Sequence, residues 1–151
     1  MRAAGRSGGG LDADAVMTAL AQPSVVPPAF VDLLERPLFG HLGTTRPDGS
    51  PQVNVMWFGW DGELLRFTHI PQRQKYRNLQ ADPRISLSIV DPDTGYRYLE
   101  VRGVLERVDD DPDGQFYMEL SARYGHPMAA PPDDAADRIV LVVRPTKAVT
   151  H

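Results

Sequence analysis

The chain has 151 residues, 42% of them hydrophobic and 24% charged, with a formal net charge of -4. That length suits a single domain with a real core, and the mild acidity argues against a general nucleic-acid binder, which carries a basic surplus. There is no cysteine, so disulfides, thiolate nucleophiles and cysteine-ligated metal centres are excluded.

No apolar run approaches the ~18 residues of a membrane span, and the start, MRAAGRSGGGLDAD, lacks the apolar stretch of a secretory signal. A cytoplasmic protein is expected. Residues 1–22 read as a disordered or loosely attached segment, Gly-rich at first, with a short helix over 11–21. Residues 23–151 read as one domain. AFVDLLER (29–36) has Phe30, Leu33 and Leu34 at helical spacing. From residue 38 the period becomes two. FGHLGTT, a turn at Arg46-Pro47-Asp48-Gly49, and SPQVNVMWFGW predict a hairpin. Asp61-Gly62 turns the chain into a strand over 63–70. Pro71 opens a predicted helix over 71–81. RISLSIV (84–90) alternates Ile85, Leu87 and Ile89 with Ser86 and Ser88. A turn over 91–95 leads to a long strand (96–108). Asp111-Pro112 starts a helix through DGQFYMELSARYG, HPMAAPPDDAAD is a loop, and RIVLVVRP (138–145) is the last, apolar strand.

This pattern predicts a mainly β fold with short helices (α+β). Six strands with early hairpins and no β-α-β alternation suggest an antiparallel sheet closed into a small barrel, because six short strands otherwise leave free edges.

Hydrolytic signatures are absent: no G-x-S-x-G, no H-E-x-x-H, no Walker loop. His41, His69, His126 and His151 show no ligand spacing and read as surface or core histidines, so no metal site is expected. Asp109-Asp110-Asp111 reads as an acidic helix start. Along PQVNVMWFGW, Val53, Val55 and Trp57 share one face, read as barrel interior. Gln52, Asn54, Met56 and Phe58 share the other, which suits either a half-exposed interface strand or a flat heteroaromatic ligand. Only two of sixteen cations are lysines, and Lys75 lies between Arg73 and Arg77. Residues 66–84 hold five cations and one acid, whereas 106–137 hold nine acids and two cations. The cationic run is either a solvated helix face or, with Thr68 and free N–H groups at a helix start, a phosphate cradle.

The combination of P-D-G-x-P, a strand ending in W-F, and R-x-K-x-R-N-L followed by D-P-R resembles the split β-barrel flavin and deazaflavin oxidoreductases. This is the pyridoxamine-phosphate-oxidase-like superfamily, and the likeness spans about residues 29–146. The R-x-K-x-x-N-L pattern and short chain are most similar to the B-type deazaflavin-dependent reductases of actinobacteria, a kinship the arginine-rich composition fits. The resemblance implies a six-stranded, FMN-binding-like split barrel. It also implies a homodimer with cofactor sites between subunits, and coenzyme F420 as hydride donor to a conjugated small molecule. By the same likeness Arg73 and Lys75 grip the phosphate, with Thr68 and Asn78 assisting. His69 and Ile70 belong to the same strand end. Gln52, Asn54, Val55 and Met56 line the ring, and Tyr96 and Arg97 come from the second subunit. The reaction implies no obligate catalytic side chain. Asn54 stands where vitamin-B6-type oxidases place an arginine, which sets this chain apart from them. Two other readings share the barrel: an FMN-dependent oxidoreductase, and a non-catalytic protein binding flavin or haem.

Overall fold

The computed structural model describes residues 24–151. The helix expected over 11–21 and the segment 1–22 lie outside the described residues. The region read as one helix (29–36) is a 3₁₀ turn, Pro28–Phe30, followed by helix α1, Asp32–Glu35. Leu33 and Leu34 of α1 are wholly buried. Strands β1 (Gly40–Thr45) and β2 (Pro51–Met56) form the expected hairpin. Its turn is closed by Arg46 N–H donating to the Ser50 carbonyl at 2.8 Å, and Gly49 takes the left-handed φ of 87° that glycine tolerates. There follow β3 (Gly59–Trp60), β4 (Leu65–His69), helix α2 (Gln74–Ala81), β5 (Arg84–Val90), β6 (Tyr98–Asp110), helix α3 (Gln115–Arg123) and β7 (Ile139–Thr150).

All pairings are antiparallel, in the order β2-β1-β5-β6-β7-β4-β3. The sheet therefore has seven strands, not the six expected, and its ladder does not close. The extra strand arises because the run expected from 50 to 60 is broken at Trp57–Phe58. Phe58 turns wholly inward, and its N–H donates at 3.1 Å to the Tyr124 hydroxyl rather than to a neighbouring strand. That hydroxyl in turn donates to the Leu38 carbonyl at 2.7 Å. The two edge strands, β2 and β3, are thus joined by two residues of chain, so Met56 and Gly59 lie three Cα steps apart, ~11 Å at most. The sheet must coil until its edges approach, giving a split barrel.

The core alternates as period two requires. Leu42, Phe67, Leu87, Ile89, Leu99, Val101 and Leu141 pack inside with Leu33, Leu34 and Phe58. The first five residues of β7 are all buried. Ile139, Leu141 and Val143 face the main core, and Val140 and Val142 meet Leu64 and Phe116 of α3 in a second cluster.

Val53 and Val55, expected inside the barrel, are 64% and 61% exposed. The register explains the reversal: Asn54 lies opposite buried Leu42, and Val55 lies opposite exposed His41. The amide face of β2 is the inner one. The most exposed large apolar side chains are Tyr96, Val53, Val55 and Phe39. Among the described residues no helix is long and apolar enough to cross a membrane.

β6 and β7 slip register between Arg102 and Gly103. A Cβ on Gly103 would lie 2.7 Å from the Arg144 carbonyl oxygen and 2.8 Å from Val143. Backbone cannot yield as a side-chain tip does, so Gly103→Ala should destabilise the fold by ~1–3 kcal/mol, read from urea unfolding midpoints.

Candidate functional site

Four elements converge at the coiled edge of the sheet. β2 offers Gln52, Asn54 and Met56 from its inner face, and β4 ends at Thr68 and His69. The start of α2 supplies Arg73, Gln74 and Lys75, and Arg138 precedes β7. Together they line a pocket of ≈ 460 Å³. The β4–β7 register, His69 opposite Ile139, places Arg138 beside His69 across 69 residues of sequence.

α2 begins at Gln74, three residues after the expected start. Ile70 to Arg73 form a turn in which Arg73 N–H reaches the Ile70 carbonyl, and Arg73 is the extended N-cap residue. No side chain caps the helix and no acid occupies its first turn. Its leading N–H groups and the positive end of its dipole remain available at the pocket. α3 likewise begins late, at Gln115, after Gly114 in the left-handed region. Asp111 still serves its start, accepting from the N–H of Phe116 and Tyr117.

Lys75 carries the strongest signal. Its side chain is 95% buried, and its ammonium donates to the Met56 thioether at 3.0 Å, a weak acceptor. No carboxylate among the described residues pairs with it. Burial, and then the Arg73 charge, push the Lys75 ammonium down to about 8. Burial, followed by the charges of Lys75, Arg73 and Arg138, pushes His69 down to about 4, so its imidazole is neutral near pH 7. The Thr68 hydroxyl and His69 Nε2 are buried without a partner. Buried polar atoms are normally satisfied. Several donors, a cation and a helix start left open in one cavity form a receptor for an anion.

Beside it runs a chain of amides. Gln74 donates to Asn78 Oδ1 at 2.9 Å, and Asn78 Nδ2 donates to Thr44 Oγ1 and to Gln52 Oε1, each at 3.0 Å. Gln52 donates to Asn54 Oδ1 at 2.9 Å. This direction leaves the Asn54 amide N–H groups as the donor end beside Met56, an arrangement suited to the polar edge of a flat ring.

Of the residues singled out from sequence, Gln52, Asn54, Met56, Thr68, His69, Arg73 and Lys75 are brought together. Asn78 is fully buried and its hydrogen bonds are spent within the protein, so it positions Gln52 from behind. Ile70 contributes its carbonyl to the turn, and Val55 points to the opposite face. Tyr96 is 70% exposed. Arg97 is committed elsewhere: it donates to Asp32 at 2.7 Å, Asp91 at 3.0 Å and the Ala29 carbonyl at 2.7 Å, fastening α1 to the turn after β5. Gln74 and Arg138 are pocket residues that the sequence reading missed. The only local sign of Arg138 was Asp134 four residues earlier.

Residues 26–151 match the family described as pyridoxamine 5'-phosphate oxidase. A solved structure named F420 reductase is 59% identical, covering 82% of this chain and 98% of its own, with a TM-score of 0.80. A conserved hypothetical protein from Mycobacterium tuberculosis is 23% identical over 84% of this chain and 85% of its own, with a TM-score of 0.66. A haem storage protein from Vibrio cholerae is 17% identical over 85% of this chain and 95% of its own, with a TM-score of 0.58; these two likenesses concern the fold alone. No curated protein matches.

A buried ammonium without a counter-charge costs stability while the pocket is empty. Lys75→Met should therefore raise the unfolding free energy of the ligand-free protein by ~1–2 kcal/mol. Because Lys75 titrates near 8 when folded and at its ordinary 10.5 when unfolded, its cost is full below pH 8. It fades between pH 8 and 10.5, where the unfolded chain binds more protons. Urea melts across that window should show the wild type gaining on Lys75→Met as pH rises.

Proposed function

The chain belongs to the pyridoxamine 5'-phosphate oxidase-like split-barrel superfamily, and from that premise we propose that it is an oxidoreductase using reduced coenzyme F420 to reduce a conjugated small molecule. The observation that carries the reading is Lys75, a buried cation with no carboxylate, beside the uncapped start of α2 and two unpartnered buried polar atoms. A ligand phosphate is the group these residues fit.

When bound, the deazaflavin supplies a hydride, and such chemistry belongs to the cofactor rather than to a side chain. The protein's part is to hold and orient. Lys75, Arg73, Thr68 and the first N–H groups of α2 would bind the phosphate. Asn54, held by Gln52 and Asn78, would orient the polar edge of the ring, with Met56 giving apolar contact. His69, neutral near pH 7, offers a hydrogen bond without adding charge.

The cations left unpaired at α2 favour F420 over FMN. Arg66 and Arg84, which swell the local charge in sequence, are neutralised by Asp61 and Asp82. Arg73 and Arg77 have no carboxylate partner among the described residues, lie four residues apart on one face of the α2 start, and are exposed. FMN ends at its phosphate, whereas the F420 tail carries further carboxylates able to reach Arg77. The similar protein named F420 reductase adds to this. Exposed Val53, Val55 and Phe39 favour a homodimer. Since Arg97 is spent within its own chain, Tyr96 is the residue left to reach a neighbour's site.

Fluorescence titration should show F420 binding more tightly than FMN, with the advantage shrinking as salt rises, because exposed charges are screened over ~8–10 Å. Lys75→Ala should weaken F420 binding by ~1.5–3 kcal/mol. Tighter FMN binding at both low and high salt would transfer the assignment to FMN. Sedimentation should give a dimer at micromolar concentration; a monomer would overturn the shared site.

A further inference from the structure

Resting on the phosphate-pocket reading, we propose that Arg138 is a specificity-determining residue of this site, a third cation presented to the ligand's phosphate by Asp134 and Tyr117. Its guanidinium is fixed on two sides. Nε and Nη2 each donate to the Asp134 carboxylate at 2.8 Å, and Cζ lies 4.4 Å from the centre of the Tyr117 ring. The side chain is only 14% exposed. A bidentate carboxylate and an aromatic face together remove the freedom that makes most arginines poor positioning groups. Nη1 is the nitrogen left over, with no hydrogen-bond partner among the described residues, and Arg138 forms the pocket wall next to His69, Arg73 and Lys75.

The purpose of the fork follows from the other side of the same side chain. Arg138 also borders a second cavity, ≈ 380 Å³, whose wall includes Asp110 and Asp137. Those carboxylates repel an anion that would slip past Arg138. On this proposal Arg138 meets an anion held in the pocket, and further negative groups would be drawn toward exposed Arg73 and Arg77 rather than toward Asp110 and Asp137. Selection for a phosphate whose tail leaves over α2 is thereby written into a residue supplied by the segment before β7.

The test uses the full chain and two ligands, F420 and its deazaflavin nucleoside fragment without phosphate or tail, titrated by fluorescence. Arg138→Gln should weaken F420 by about tenfold or more, the value of a hydrogen bond to a charged group, and leave the fragment within about twofold. Asp134→Asn should produce a smaller loss in the same direction, and Arg138→Lys should recover only part, because an ammonium cannot keep the fork and present a third donor. Equal weakening of both ligands by Arg138→Gln would make the arginine structural, and no change in either would remove it from the site. Should Arg138→Gln fail to fold, Asp134→Asn decides alone: an F420-selective loss supports the proposal, and an unselective one overturns it. Lys75→Ala in parallel separates the two readings, since loss of its effect on F420 overturns the pocket assignment itself. If the wild type takes FMN rather than F420, the same variants compared on FMN and riboflavin decide Arg138 independently.

Discussion

Asn78 is the joint on which the site hangs. It has no exposed surface, and its side chain joins α2 to β1 through Thr44 and to β2 through Gln52, while Gln74 secures it from within the helix. A buried amide so satisfied is an orienting device, because any rotation of α2 would strand donors or acceptors out of water at a cost of ~1–3 kcal/mol each. Once Asn78 fixes the helix, Lys75 three residues earlier has nowhere to go but into the pocket. Gln52 is likewise held, and through it Asn54. The cationic pocket and the ordered amides of β2 are consequences of one buried hydrogen-bond hub.

Charge allocation then decides what the pocket can accept. Several arginines are neutralised inside the fold: Arg66 by Asp61, Arg84 by Asp82, and Arg97 with Arg36 by the acids around Asp91. Such pairs at the surface contribute little stability, but they remove charges from competition. At the start of α2, Arg73, Lys75 and Arg77 have no carboxylate partner among the described residues, with Lys75 buried in the pocket and Arg73 and Arg77 exposed. Lys75 is costly in the empty protein for the same reason that it is useful: the low-dielectric surroundings that lower its proton affinity also strengthen its attraction to a bound anion.

The open edge of the sheet has a related logic. β2 turns its polar residues inward, to Asn78 and the pocket, and its valines outward. An edge strand with outward Val53 and Val55 is a pairing surface that a lone domain would be expected to blunt. Here the same strand lines the pocket with its inner face, so the exposed valines lie directly behind the site.

Local chemistry was enough to read most of the elements. RISLSIV alternates without interruption, and Asp48-Gly49 and Asp61-Gly62 supply the turn geometry that neighbouring residues cannot, so β5 and the early hairpins were legible where they stand. R-x-K-x-R-N-L marked the cationic helix because its residues are neighbours along the chain. Three things were not legible. Period two separates the faces of β2 but does not say which is inside; that depends on register with β1 and on Asn78 arriving from α2. The break at Trp57–Phe58 comes from Tyr124, 66 residues away. Arg138 joins Lys75 only because β4 and β7 pair side by side. The turns, the cationic motif and every strand except the separate β3 could be read locally, because their causes lie within a few residues. Which face is interior, which charges stay unpaired and which distant arginine lines the pocket depend on the packed fold, because each is settled by contacts between residues that the chain holds far apart.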